Sequence, residues 1–266
     1  MMLVSKVILV LLILISIYSF RKDNKRYHKF QTLSKSQERR RMLKKTILES
    51  FLIYGLLGIL SLYFINHLFV LKTIPNFLLE YSNYLWSFAS GGEEDGILLR
   101  ILKILLISII PLLLLAAPVL TLVGVYSNHK KKKPENSEIE DSTTLNHLLP
   151  RNSKERFWVT VLSINAGFSE ELFFRLLLPI LIYTLTGSAL FSILLSSIWF
   201  GLAHYYQGLP GIISTTIAGL MLFYIYLLTQ SIWTTIIVHI LMDISGLIIA
   251  PLFQKLLEQK EKRRLS

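Results

Sequence analysis

From Phe157 to Phe253 the chain is almost continuously apolar, and this run constrains the fold more than any other feature. A helix needs about 20 apolar residues to cross the hydrocarbon core of a bilayer, and only helices and closed barrels satisfy their backbone polar groups there. Breaks at Thr186-Gly187, Gln207-Gly208-Leu209-Pro210 and Thr229-Gln230-Ser231 divide the run. Four spans are predicted: about Phe157 to Tyr183, Ser188 to His204, Leu209 to Leu228 and Ile232 to Phe253. Mean hydropathy is +0.54 and 17% of residues are charged, against roughly 25% in an average soluble domain, so the membrane reading extends to the whole chain.

Three more spans precede these: Leu3 to Phe20, about Thr46 to Val70, and about Ile97 to Val125. Pro111 and Pro118 are expected to kink the last of them, and Arg100 and Lys103 lie near enough to its start to snorkel. The first stretch could be a signal peptide, but a dense basic segment follows Phe20 instead of a small-residue cleavage site, so it reads as a retained span. The segment Arg21 to Lys45 and the run Lys130-Lys131-Lys132-Lys133 mark cytoplasmic loops; the acidic Gly91 to Gly96 loop belongs outside.

The expected fold is therefore an all-α polytopic transmembrane helical bundle of about seven spans, with the amino terminus outside and the basic carboxyl-terminal tail cytoplasmic. Its expected organisation is a three-span region over 1–128 containing the basic cytoplasmic loop 21–45, a charged linker over 129–155, a four-span core over 156–253, and a tail over 254–266. The net charge of +11 sits beside the apolar spans, where it meets lipid headgroups, and no recognition module for nucleic acid accompanies it. With no cysteine, a disulfide framework, a thiolate metal site and a Cys nucleophile are all excluded.

Few ionisable residues lie deep in the last four spans: Glu170, Glu171, Arg175, His204, His239 and Asp243. Each charge at mid-membrane costs about 2.5–3.5 kcal/mol on insertion scales, so compensation or function is required. Glu171 and Arg175 are four apart with the carboxylate on the amino-terminal side, the better orientation for a structural ion pair. Glu170 points about 100° away from Glu171 and is left for chemistry. His239 and Asp243 share a helix face, and His204 follows Phe200 by one turn. Together Glu170, His204, His239 and Asp243 can hold and activate a water, with or without a metal such as zinc, or form the relay of a proton- or cation-coupled transporter. Tyr205, Tyr206, Trp199 and Trp233 fall near span ends and read as interface anchors.

The stretches Glu170-Glu171-Leu-Phe-Phe-Arg175, Phe200-Gly-Leu-Ala-His204 and His239-Ile-Leu-Met-Asp243, in that order, resemble the three motifs of the CPBP intramembrane proteases. That family includes the type II CAAX prenyl proteases and bacteriocin-immunity-like proteins. The resemblance covers about Arg156 to Pro251 and implies cleavage of a peptide bond, in a membrane-embedded or membrane-adjacent substrate, by an activated water. By it, Glu170 and His204 activate the water while His239 and residue 243 stabilise the oxyanion; in the metal-dependent description of the family, the same four side chains are zinc ligands. Two positions depart from the family pattern: Leu176 stands where a Gly often follows the Arg, and Asp243 stands where an Asn would donate a hydrogen bond. A non-catalytic immunity or binding protein of the same fold is a further reading, and the short loops point to a prokaryotic plasma membrane.

Overall fold

The computed structural model describes residues 2–92, 95–109, 111 and 149–265, and these contain helices and no strand. Helix α1 spans Met2–Thr32. Helix α2 runs through Ser36–Ser50, a π-helical segment Phe51–Leu56, and Leu57–Phe64. Helix α3 covers Asn76–Ser90, and α4 covers residues 97–109. Helix α5 passes through Ser153–Glu171, a second π-helical segment Leu172–Leu177, and Leu178–Thr186. Helices α6 and α7 are Ala189–Ala203 and Gly208–Thr229, separated by a 3-10 turn at Tyr205–Gln207. Helix α8 begins with Ile232–Ile244, passes through a third π-helical segment at Ser245–Ile249, and ends with Ala250–Leu265.

Local chemistry sets the ends of the last four helices. Asn152 caps α5 by accepting from the Glu155 amide at 3.0 Å, Ser188 caps α6 through the Phe191 amide at 3.2 Å, and Ser231 caps α8 through the Thr234 amide at 3.4 Å. Helix α5 stops at Gly187, which takes the left-handed conformation at φ 66° that a glycine adopts without steric cost. Among the described residues, four helices are long and apolar enough to cross a membrane: Met2–Thr32, Ser36–Phe64, Tyr205–Thr229 and Ile232–Leu257, with Ala189–Ala203 a shorter apolar helix. The fold is an all-α polytopic membrane bundle.

Helix α5 is its centre. From Leu172 to Ile182 every side chain is buried, so this part of the helix is surrounded by protein rather than lipid; it touches α1, α2 and α6, while the preceding Ser153–Glu171 part packs on α8. That burial is what lets a span carry Glu171 and Arg175: neither meets hydrocarbon tails. Gly167 brings α5 against α8, because a Cβ there would lie 2.5 Å from Ile240 Cγ1 and 3.1 Å from the Ile236 carbonyl oxygen. Gly201 and Gly219 do the same for α6 and α7, facing Thr216 and Phe200 respectively. Ser196 and Ser197 return their hydroxyls to the Ile193 carbonyl at 3.1 and 2.8 Å, which satisfies them inside their own helix.

The amino-terminal region differs in form from the expectation of spans joined by loops. Helix α1 is 31 residues long, about 46 Å at 1.5 Å per residue, whereas the hydrocarbon core is about 30 Å thick. Its basic end, Arg21 to Lys29, and the basic start of α2 are therefore helical extensions, and the connection between them is only residues 33–35. Likewise, the acidic connection after the second span contains α3, whose Ser82 hydroxyl and Trp86 indole donate to the Leu227 and Leu228 carbonyls at the end of α7. At the base of α4, the Lys103 ammonium and the Gly92 amide hold the Asp95 carboxyl below the usual carboxylate range. The rest of the predicted Ile97 to Val125 span beyond 109, Pro111 apart, lies outside the described residues, as does the lysine run of the linker.

A buried ion pair ties the amino-terminal helices to the core. Arg39 on α2 donates from Nε to Glu155 Oε2 on α5 at 3.1 Å and from Nη2 to the Leu149 carbonyl at 3.0 Å, and its guanidinium lies 4.1 Å from the Phe30 ring centre of α1. Glu155 Oε2 also accepts from the Arg151 amide at 3.0 Å, so the buried charges are met by neutral donors and acceptors as well as by each other.

Candidate functional site

Four of the ionisable residues singled out in the sequence line one cavity of about 410 Å³: Glu170 from α5, His204 from the end of α6, and His239 and Asp243 from α8. Glu171 and Arg175 lie behind it, in the protein interior. The π-helical segment that begins at Leu172 follows Glu171 directly, and such a segment inserts an extra residue into the helical register at the point where the acidic motif turns towards its partners.

Glu171 has two partners. Its Oε2 lies 3.0 Å from Arg175 Nε, and its Oε1 accepts a hydrogen bond from His239 Nδ1 at 2.6 Å. The Arg175 contact is an ion pair by proximity, because the Nε–H does not point at the carboxylate closely enough for a hydrogen bond. Arg175 Nη2 instead reaches the Gly219 carbonyl at 3.3 Å, and its guanidinium sits over the Phe200 ring at 4.5 Å. Glu171 is thus more than the partner of Arg175: it fixes the tautomer and direction of His239 on another helix.

With Nδ1 committed to Glu171, His239 is left with Nε2, which is 3.9 Å from Asp243 Oδ1. His204 is oriented in the same sense. Its Nδ1 donates to the Phe200 carbonyl at 2.9 Å, which leaves Nε2 unprotonated in the neutral ring and able to accept a proton. Phe200 holds both imidazoles, with ring centres 5.0 Å from His204 and 5.9 Å from His239, and it is itself packed edge-on against Phe174 at 5.2 Å. The Phe of the Phe-x-x-x-His stretch is therefore a shared wall for the two histidines and Arg175.

The cavity's other wall comes from the amino-terminal helices. Asp23, Arg26 and Tyr27 of α1 and Thr46, Ser50 and Tyr54 of α2 face it, along with an apolar patch of Phe30, Met42 and Leu43. Arg26 pairs with Asp23 at 3.0 Å and with Glu49, which also takes Lys22 at 2.9 Å. Nothing in hydropathy or spacing singled out these residues; the only sequence signal was an Asp within an otherwise basic segment. Tyr206, expected at the membrane interface, is instead part of the cavity lining, with its ring 5.0 Å from that of Tyr27.

Two imidazoles and two carboxylates form a donor set that a divalent metal accepts. As placed, however, no three His, Asp or Glu side chains among the described residues come together as a metal-binding group, so no chemical step is routed through a metal. What the arrangement can do is hold a water between a carboxylate and an imidazole nitrogen, with a second imidazole fixed beside it.

The apolar helices around this cavity are those of an integral membrane protein. The family model described as type II CAAX prenyl endopeptidase Rce1-like matches residues 152–245, which supports the resemblance of this part of the chain to the CPBP/CAAX proteases. No curated protein and no solved structure matches the chain.

Proposed function

We propose that the protein is an intramembrane endopeptidase that hydrolyses a peptide bond in a membrane-embedded or membrane-adjacent substrate, using a water activated by Glu170 and His204. The observation that carries this reading is the convergence of Glu170, His204, His239 and Asp243, from three helices, on one cavity. The family-model match over residues 152–245 supports the endopeptidase class. In the proposed mechanism the water gives its proton to Glu170 or to His204 Nε2 as its oxygen adds to the carbonyl carbon. The carbonyl π electrons move onto oxygen, and His239, held by Glu171, faces the developing charge from Nε2 when it is protonated. The C–N bond then breaks, and the proton taken from the water goes to the departing amine. The apolar lining from α1, α2, α5 and α8 lowers the local polarity and strengthens these electrostatic contacts.

The test uses the purified full chain in lipid vesicles with an internally quenched peptide ending in a farnesylated CaaX sequence. Hydrolysis that depends on the protein supports the reading. Proton or cation flux across the vesicle membrane without any hydrolysis overturns it in favour of a transporter.

A further inference from the structure

Asp243 stands where an Asn would donate to the oxyanion, and a carboxyl donates only while it is protonated; ionised, it repels the charge that develops on the carbonyl oxygen. A donor that does not depend on the protonation of residue 243 would complete the site.

Tyr206 has the required properties. It lies in the 3-10 turn two residues after His204, and it lines the same cavity as Glu170, His204 and Asp243. Its ring centre is 6.0 Å from that of His204, and Tyr27 packs against it at 5.0 Å, so the ring is held from two sides. Its hydroxyl oxygen accepts a hydrogen bond from Gln207 Nε2 at 3.1 Å. A phenol that accepts through oxygen keeps its own proton for donation, and among the described residues no acceptor is assigned to it.

We propose that Tyr206 is a further catalytic residue, whose hydroxyl donates a hydrogen bond to the carbonyl oxygen of the scissile bond and strengthens it as that oxygen becomes an anion. The assignment rests on the endopeptidase reading. No proton leaves Tyr206 in the step: the water proton still goes to Glu170 or His204, and the phenol only polarises the bond. Gln207 is its positioning residue, fixing the hydroxyl through the amide contact.

The experiment is a double-mutant cycle on the full chain in vesicles, with the same farnesylated CaaX peptide as probe. Tyr206→Phe removes one oxygen and keeps the ring contacts with Tyr27 and His204. It is expected to lower kcat about 10²- to 10³-fold with KM near the parent value, the cost of losing one oxyanion donor. In an Asp243→Asn background, where an amide donor is present, the same substitution is expected to cost much less. A Tyr206→Phe protein that works at the parent rate, or a loss of equal size in both backgrounds, overturns the assignment. Thermal unfolding of each variant separates lost chemistry from lost structure. A folded parent that hydrolyses nothing removes the endopeptidase reading and this assignment with it; full hydrolysis by Tyr206→Phe removes the assignment alone.

Discussion

Two ionic clusters flank the cavity, built from the same kinds of side chain in opposite surroundings. The Glu171–Arg175–His239 cluster in the α5–α8 core is sealed, with side-chain exposures of 0%, 1% and 7%. The Lys22–Glu49–Arg26–Asp23 cluster between α1 and α2 is open, with Lys22 at 37%, Asp23 at 29% and Glu49 at 21%. Buried charges carry a desolvation cost of several kcal/mol each and hold only when their geometry is fixed, whereas exposed pairs are worth about 0–1 kcal/mol and tolerate rearrangement. The sealed cluster therefore sets direction, keeping the imidazole of His239 in one orientation. The open cluster joins two helices and shapes one wall of the cavity.

Substitutions of similar size in the two clusters are therefore expected to have unequal effects. Glu171→Gln leaves Arg175 charged and buried beside neutral groups, the new amide oxygen, the Gly219 carbonyl and the Phe200 ring, so a loss of about 3–5 kcal/mol in unfolding free energy is expected. A loss under about 1 kcal/mol would mean that the core cluster behaves like an exposed one. Gly167→Ala comes next. Its Cβ meets Ile240 and the Ile236 carbonyl and should push α5 from α8 at a cost of about 1–3 kcal/mol, and a neutral result would show that Gly167 does not set the approach of Glu171 to His239. The smallest effect is expected from Lys22→Gln, within about 1 kcal/mol, since Arg26 still holds Glu49. A larger change there would place the amino-terminal network among the structural determinants of the fold.

The same contrast explains what could be read from the sequence. The last four helices were visible because their apolar runs are long and their ends carry local signals: Ser188 and Ser231 as caps, Gly187 as a left-handed stop. The i, i+4 spacing of Glu171 and Arg175 is likewise local. The bond from Glu171 to His239 spans 68 positions between helices and leaves no trace in spacing. Helix α3 was hidden because 15 residues are too few to span a membrane, and its packing on the end of α7 depends on tertiary contacts through Ser82 and Trp86. The basic segment after Phe20 suggested a loop because charge runs are usually solvated; here Arg26 and Arg39 find partners on neighbouring helices and the backbone stays helical. Tyr206 illustrates the remaining ambiguity. A tyrosine at a span end has the same sequence signature whether it faces headgroups or a cavity, and only the 3-10 turn after His204 decides.

Everything proposed for the cavity depends on Glu170, the carboxylate that faces it while Glu171 is turned away to Arg175 and His239. The most direct measurement compares hydrolysis of the farnesylated CaaX peptide by the parent and by Glu170→Gln at matched amounts of folded protein. Removing a positioned general base is expected to lower kcat by about 10²- to 10⁴-fold while the unfolding temperature stays close to that of the parent. Hydrolysis by Glu170→Gln at the parent rate would contradict the account.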